Sequence, residues 1–262
     1  MEKKLIINNP VVSRQVFFPR KTPVPSNLDP FTKILRFPID KKIIIGGICF
    51  IKNTELPTIL FFHGNGEVAL DYIFAAPTFF ECNVNLAVMD YRGYGFSTGE
   101  PYYTCLISDA IPIYDAFKTW AEEYGLLKSF FIQGRSLGSV CASEIGANNP
   151  EDVKGIIIES GFASLYNMMT VIFRVESSQL TPNSVAKYSN DIRVRNFKKP
   201  TLVIHGTEDY IIPYTEGELL YKNLPESIEK NLILIEGVGH NSISLNNDIY
   251  FTVFKDFISK FK

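Results

Sequence analysis

The stretch that most constrains this chain is 130–140, Phe-Phe-Ile-Gln-Gly-Arg-Ser-Leu-Gly-Ser-Val. A short apolar run ends in Gly134-Arg135-Ser136-Leu137-Gly138, and small, helix-compatible residues follow. G-x-S-x-G between a strand and a helix is the pattern of a nucleophile elbow, a sharp turn with a serine at its apex. The serine of such a turn needs a positive φ. The positions two residues to either side must lack a side chain, because a Cβ there would clash across the turn. Gly134 and Gly138 occupy those two positions.

An elbow of this kind calls for alternating strands and helices around it. Residues 58–62, 86–89, 129–133, 153–158, 201–204 and 231–235 are short apolar runs that read as strands. Between and after them, 70–82, 103–124, 139–147, 216–223 and 248–261 read as helices, with Pro112 expected to bend the second or delay its start. Apolar strands separated by helices imply an α/β protein with a mostly parallel central sheet, covered on both faces. Ahead of them, 34–37 and 42–51 flank Pro38-Ile39-Asp40-Lys41 and predict an antiparallel hairpin. Residues 1–33 carry Pro10, Pro19, Pro23, Pro25 and Pro30 and read as an irregular lead-in with at most one strand, near 11–18. Residues 161–198 show no α/β rhythm. No repeat, low-complexity tract or linker interrupts the chain, so one domain over 1–262 is expected.

Composition narrows the function class. With 46% hydrophobic and 21% charged residues, the chain has the material for a substantial core. A net charge of -2 gives no electrostatic case for nucleic acid. Leu5-Ile6-Ile7 after Lys3-Lys4 is too short for a signal-peptide apolar region, and no run approaches the roughly 18 apolar residues of a membrane span. Cys49, Cys82, Cys105 and Cys141 form no C-x-x-C pair and read as buried reduced thiols. A cytoplasmic location is the resulting expectation. No metal-ligand cluster is visible, and no cofactor is expected.

A second G-x-S-x-G occurs at Gly95-Phe96-Ser97-Thr98-Gly99. It lies in a loop that already holds Gly93, and Pro101 follows. No strand runs straight into it and no helix leaves it, so Ser136 is the expected nucleophile. A serine hydroxyl is a poor nucleophile without a base, usually histidine. The chain has 3 histidines. His63 and His205 each end an apolar run and precede a glycine, which suits a structural role in the loop that follows. His240 lies in Glu236-Gly237-Val238-Gly239-His240-Asn241, between the last strand and the final helix, from where a base can reach across to the serine. The base needs an acid to fix its tautomer. Glu208 and Asp209, just beyond the strand at 201–204, both qualify. The order Ser136, Asp209, His240 is the Ser…Asp/Glu…His order of α/β-hydrolases.

From about residue 43 to the end, the chain resembles the α/β-hydrolase superfamily. It is similar to the abhydrolase-domain group with HGN after the third strand and DYRGYG after the fourth, here His63-Gly64-Asn65-Gly66 and Asp90-Tyr91-Arg92-Gly93-Tyr94-Gly95. The resemblance implies the α/β-hydrolase fold. It places the acid at the D of G-x-x-D-x-x-[VI]-P, which is Asp209 in Gly206-Thr207-Glu208-Asp209-Tyr210-Ile211-Ile212-Pro213. It also implies an oxyanion hole made by the backbone N–H groups of Leu137 and Asn65, each such donor being worth roughly 2.7–4 kcal/mol in the transition state. A phosphate-cradling reading of 63–67 is disfavoured, because the lysine and Ser/Thr of a P-loop are missing.

In this superfamily an insertion after the sixth strand forms the lid, here 161–198. Its Met168 and Met169 suit either an adaptable apolar pocket or ordinary core packing. Peripheral membrane contact through 165–173 is a third reading. The expected function is a serine hydrolase cleaving a carboxylic ester or thioester, with a small molecule or an acylated protein as substrate. A peptidase or amidase and a non-catalytic binding member of the fold are the alternatives. Ser136 in the elbow disfavours the aspartate-nucleophile dehalogenases and epoxide hydrolases. Protein depalmitoylases share the resemblance, but no N-terminal cysteine cluster for lipid anchoring is seen.

Overall fold

The strands are β1 (Thr32–Asp40), β2 (Ile43–Phe50), β3 (Thr58–Phe62), β4 (Asn85–Met89), β5 (Phe130–Arg135), β6 (Val153–Glu159), β7 (Thr201–Gly206) and β8 (Lys230–Ile235). The computed structural model describes residues 5–26, 28–244 and 248–262. Within them the strands form one 8-stranded sheet in the order β1-β2-β4-β3-β5-β6-β7-β8. The hairpin β1–β2 is antiparallel, and β2 joins β4 antiparallel. From β4 to β8 every pairing is parallel. Pro38 is tolerated because β1 is an edge strand, and the register slips just after it, between Pro38 and Asp40.

The helices are α1 (Pro10–Val16), α2 (Ala76–Glu81), α3 (Tyr103–Ser108), α4 (Ala110–Tyr124), α5 (Ser139–Asn148), α6 (Leu165–Asn167), α7 (Pro182–Val185), α8 (Asn190–Arg193), α9 (Tyr214–Asn223) and α10 (Asp248–Phe261). Side chains alternate across a strand. Along β3, Leu60 and Phe62 therefore enter one buried cluster, and Ile59 and Phe61 enter another. The first cluster takes Phe117 of α4, Val140 of α5 and Leu220 of α9. The second takes Phe79 of α2 and Tyr250 and Phe254 of α10. Both faces of the sheet are thus covered, as the apolar runs implied. Cys49, Cys82, Cys105 and Cys141 are all free and buried. No helix among the described residues is long and apolar enough to cross a membrane.

Three local expectations need correction. The lead-in holds a helix, α1, where a strand was expected near 11–18. Asn9 accepts a hydrogen bond from the Val11 N–H, and Pro10 stands at the first turn, where its missing donor costs nothing. Val12 and Val16, four apart, then bury one helical stripe. The helix expected over 70–82 is split into a 3-10 turn (Ala69–Ile73) and α2, with Pro77 in the first turn of the second piece. The helix expected over 103–124 breaks at Asp109, so that Pro112 falls in the first turn of α4, where its missing N–H is tolerated. The segment 161–198, which lacked any rhythm, consists of α6–α8 and intervening short turns, including a π-turn at Met168–Ile172.

The topology prepares a crevice. The chain goes from β3 outward to β4, then returns to the other side of β3 for β5. Loops leaving β3 and β5 therefore diverge at a switch point, where open α/β sheets bind their ligands. Phe62, the last residue of β3, sits opposite Gly134 of β5.

Phe254 is fully buried between α10 and the sheet. Truncation to alanine removes a large core side chain, so Phe254→Ala is expected to cost about 3–5 kcal/mol. Equilibrium denaturation in urea measures this. A cost below about 1 kcal/mol would contradict sealing of that face by α10.

Candidate active site

β5 runs straight into a single 3-10 turn, Ser136–Gly138, and α5 leaves at once. Ser136 has φ 52°, the left-handed conformation expected of an elbow serine. Both flanking glycines are required by close approach. A Cβ at Gly138 would overlap the carbonyl of Phe62, and one at Gly134 would come within 2.7 Å of the Ala142 Cβ. The Ser139 hydroxyl donates to the Ser136 carbonyl over 2.6 Å, which ties the turn to the first residue of α5.

Two residues far along the chain meet this serine. His240 Nε2 lies 3.1 Å from Ser136 Oγ. His240 Nδ1 lies 2.6 Å from Asp209 Oδ2. The three side chains are buried. Asp209 leaves the carboxyl end of β7, and its Oδ1 accepts from the N–H groups of Ile211 (3.0 Å) and Ile212 (2.7 Å). Burial alone would push the Asp209 carboxyl up. Hydrogen bonds from His205 and His240 outweigh it and hold the group well below the usual carboxylate range. Glu208, its neighbour and rival in the sequence, is exposed.

The other candidates fall into place by contact. Ser97 Oγ accepts from the Gly46 N–H over 2.8 Å, which joins its loop to β2. His63 Nδ1 is 2.8 Å from Gly64 O, and Nε2 is 3.3 Å from Asp90 Oδ1, so it braces the loop after β3. His205 does more than its sequence context suggests. Its Nε2 is 2.8 Å from Ile212 O and 3.2 Å from Asp209 Oδ2, so Asp209 lies between two histidines. The only signal in the sequence is the four-residue spacing of His205 and Asp209 across a turn.

Leu137 follows Ser136 in the elbow turn. Asn65 lies in the loop that leaves β3 just after Phe62, the residue on which Gly138 packs. The Asn65 side chain is clamped. Its Oδ1 accepts from Tyr94 OH (2.6 Å) and the Phe18 N–H (3.0 Å), and its Nδ2 donates to Val16 O (2.7 Å). The N-terminal segment after α1 therefore holds the loop after β3, a contact that no motif announces. Gln15 of α1 also donates to the carbonyls of Phe173 and Arg174 in the insertion.

Within the insertion, Met169 is fully buried in the main core cluster, with Leu165 beside it. Met168, Val171 and Ile172 line a cavity of about 190 Å³ with Ile212, Pro213 and Glu216. That cavity adjoins the loop of Asp209. A larger one, about 850 Å³, lies behind the His240 loop and is lined by Glu67, Arg135, Glu159 and Tyr250. No group of three or more His, Cys, Asp or Glu among the described residues is arranged to hold a metal ion.

The Hydrolase_4 family model, described as serine aminopeptidase, S33, matches residues 55–189. That span includes the elbow and stops short of Asp209 and His240. The chain is 32% identical over 196 residues to the alpha/beta hydrolase domain-containing protein aho-3 of Caenorhabditis elegans, covering 72% of this chain and 54% of that one. It is 30% identical over 207 residues to protein bem46 of Schizosaccharomyces pombe, covering 78% and 68% respectively. The chain thus spans about half the length of the first relative and two thirds of the second. An esterase of Pyrococcus furiosus superposes with a TM-score of 0.72 at 16% identity, over 93% of this chain and 98% of that one. At that identity the likeness concerns the fold.

The environment of Asp209 gives a pH prediction. Its carboxyl titrates below its unfolded value of about 3.9, so the charge stabilises the fold above that pH and loses this effect only as the pH falls further. Asp209→Asn is therefore expected to melt below the wild type at neutral pH. The gap should persist down to about pH 4 and close beneath it. Thermal melts at stepped pH check this, and a gap that widens on acidification would contradict it.

Proposed function

The chain belongs to the α/β-hydrolase superfamily, and on that premise we propose that it is a serine hydrolase of carboxylic esters or thioesters. The observation that carries the reading is the unbroken contact from Ser136 Oγ through His240 to Asp209. Nδ1 of His240 faces a carboxylate, so it carries the proton and leaves Nε2 as the acceptor towards Oγ. Ser136 Oγ attacks the acyl carbon as its proton passes to Nε2. The carbonyl oxygen becomes an oxyanion, held by the backbone N–H groups of Leu137 and Asn65. His240 then gives its proton to the departing alcohol or thiol. Water enters, loses a proton to His240, and attacks the acyl-enzyme. The carboxylic acid leaves and Ser136 recovers its proton.

The charge on Asp209 serves this cycle. A carboxylate held well below its usual range stays ionised while His240 alternates between neutral and protonated forms. The backbone origin of both oxyanion donors means that Asn65→Ala need not remove its donor, although it frees the clamp from Tyr94, Phe18 and Val16. The insertion 161–198 forms the lid of a single hydrolase domain. The cavity of about 190 Å³ between Met168, Val171, Ile212 and Pro213, beside the loop that carries Asp209, would take a modest acyl chain.

A peptidase or amidase is the second reading, favoured by the aminopeptidase description of the matching family model. The same three residues serve both reactions. Turnover of p-nitrophenyl esters of graded chain length, with an aminoacyl amide alongside, separates the two.

Ser136→Ala is expected to abolish covalent labelling by a fluorophosphonate probe and to lower ester turnover by a factor on the order of 10⁴ or more. Ser97→Ala should leave labelling of Ser136 in place wherever the protein folds. Labelling that survives Ser136→Ala would sink the assignment.

A further inference from the structure

We infer that Arg135, the residue immediately before the proposed nucleophile, is a positioning residue that locks the three parts of the active site into one geometry. The inference rests on the serine-hydrolase reading above. Arg135 is the last residue of β5, so its backbone is already part of the elbow. Its side chain is buried. There the guanidinium reaches both other loops of the site. Nε donates to Glu67 Oε1 over 2.9 Å, in the loop after β3. One terminal nitrogen donates to Glu159 Oε1 at the end of β6 (2.9 Å) and to the backbone carbonyl of His240 itself (3.1 Å). The other lies 3.3 Å from Asn241 Oδ1.

Each partner is fixed in turn. Glu67 Oε2 accepts from the Gly64 N–H (2.9 Å) and Tyr72 OH (2.7 Å). Glu67 therefore holds the backbone one residue ahead of Asn65, the proposed oxyanion donor. Glu159 Oε2 accepts from Gln133 Nε2 (2.8 Å) and Tyr250 OH (2.7 Å), which ties it to the sheet and to α10. Burial pushes the Glu67 carboxyl up, but the Arg135 charge, His63 and the hydrogen bonds from Tyr72 and Arg135 together bring it down to about 2. Burial works against the Arg135 charge as well, and the two carboxylates more than compensate. The fork is charged throughout the working pH range.

Two carboxylates and one guanidinium in a buried network are poor value as stability alone, since well-packed apolar side chains often do as well. What the fork supplies is geometry. Lysine at this position would keep a charge but not the planar set of donors that meets Glu67, Glu159 and the His240 carbonyl together. A loosened His240 carbonyl lets the imidazole drift from Ser136 Oγ, and a loosened Glu67 lets the oxyanion loop drift. Both changes act on the chemical step and leave substrate binding nearly untouched.

The test uses the whole chain and p-nitrophenyl acetate. Arg135→Lys is expected to fold and to lose kcat by a factor on the order of 10², with KM within about twofold of wild type. Arg135→Ala, wherever it folds, should regain part of its lost kcat when guanidinium chloride is added at sub-denaturing concentration, because Arg135 borders the 850 Å³ cavity from which the ion can enter. Wild-type kcat in Arg135→Lys would overturn the inference. So would a loss confined to KM, or a folded Arg135→Ala that guanidinium does not improve. Ser136→Ala, run alongside, reports on the underlying reading: activity surviving in that control condemns the nucleophile assignment, whereas its loss leaves Arg135 to be judged on its own variants.

Discussion

The site depends on how tightly the elbow is pressed against the end of β3. Gly138 lies so close to the Phe62 carbonyl that no side chain fits between them. This contact and the neighbouring one at Gly134 hold Ser136 at a φ that L-residues other than glycine rarely adopt. The strain is local, and the parallel pairing of β3 with β5 over-determines it. The same contact presses the end of β3, from which the loop carrying Asn65 departs, against the elbow. One packing constraint thus raises the hydroxyl and brings its proposed helper loop into range.

Electrostatics completes what packing begins. Asp209 would be an awkward charge in a buried loop if His240 were its sole partner. His205 and the Ile211 and Ile212 N–H groups share the load, so the carboxylate stays ionised. On the opposite side of His240, Arg135 grips the backbone that carries the imidazole. His240 is therefore held from two directions, by its own ring nitrogen and by its own carbonyl. Neither hold involves the face turned towards Ser136.

Much of this was legible in the chain. The apolar runs located all six strands of the parallel part of the sheet: the five inner ones are apolar because they are buried on both faces, and the edge strand β8, although half-exposed, keeps an apolar run. The two glycines and the strand–helix context singled out Ser136 over Ser97, and the hydrogen bond from Gly46 to Ser97 explains the second motif as loop bracing. Helix α1 was missed because its stabilising features, the Asn9 cap and the burial of Val12 and Val16, are spread over a proline-rich stretch that reads as irregular. The break at 74–75 was missed because apolar periodicity continues across it, whereas the interruption of 103–124 was anticipated from Pro112 and falls just ahead of it, at Asp109. Arg135 and Glu67 were invisible for a simpler reason. A motif written G-x-S-x-G assigns no role to x, and nothing local links residue 135 to residue 67, 159 or 240.

The sequence by itself determined the turn and the kind of chemistry it can support. Glycine spacing, strand period and the order of serine, acid and histidine are properties of short segments, and short segments are set by local sterics and by burial of an apolar face. Only the tertiary structure decided which of Glu208 and Asp209 turns inward by contact, that His205 joins Asp209, that the segment after α1 clamps Asn65, and that Arg135 spans the loops of the candidate site. Those are meetings between side chains up to about a hundred residues apart, such as His240 with Ser136 at a separation of 104. They exist because parallel strands deliver their carboxyl ends to one edge of the sheet, and that convergence has no signature in any single stretch of chain.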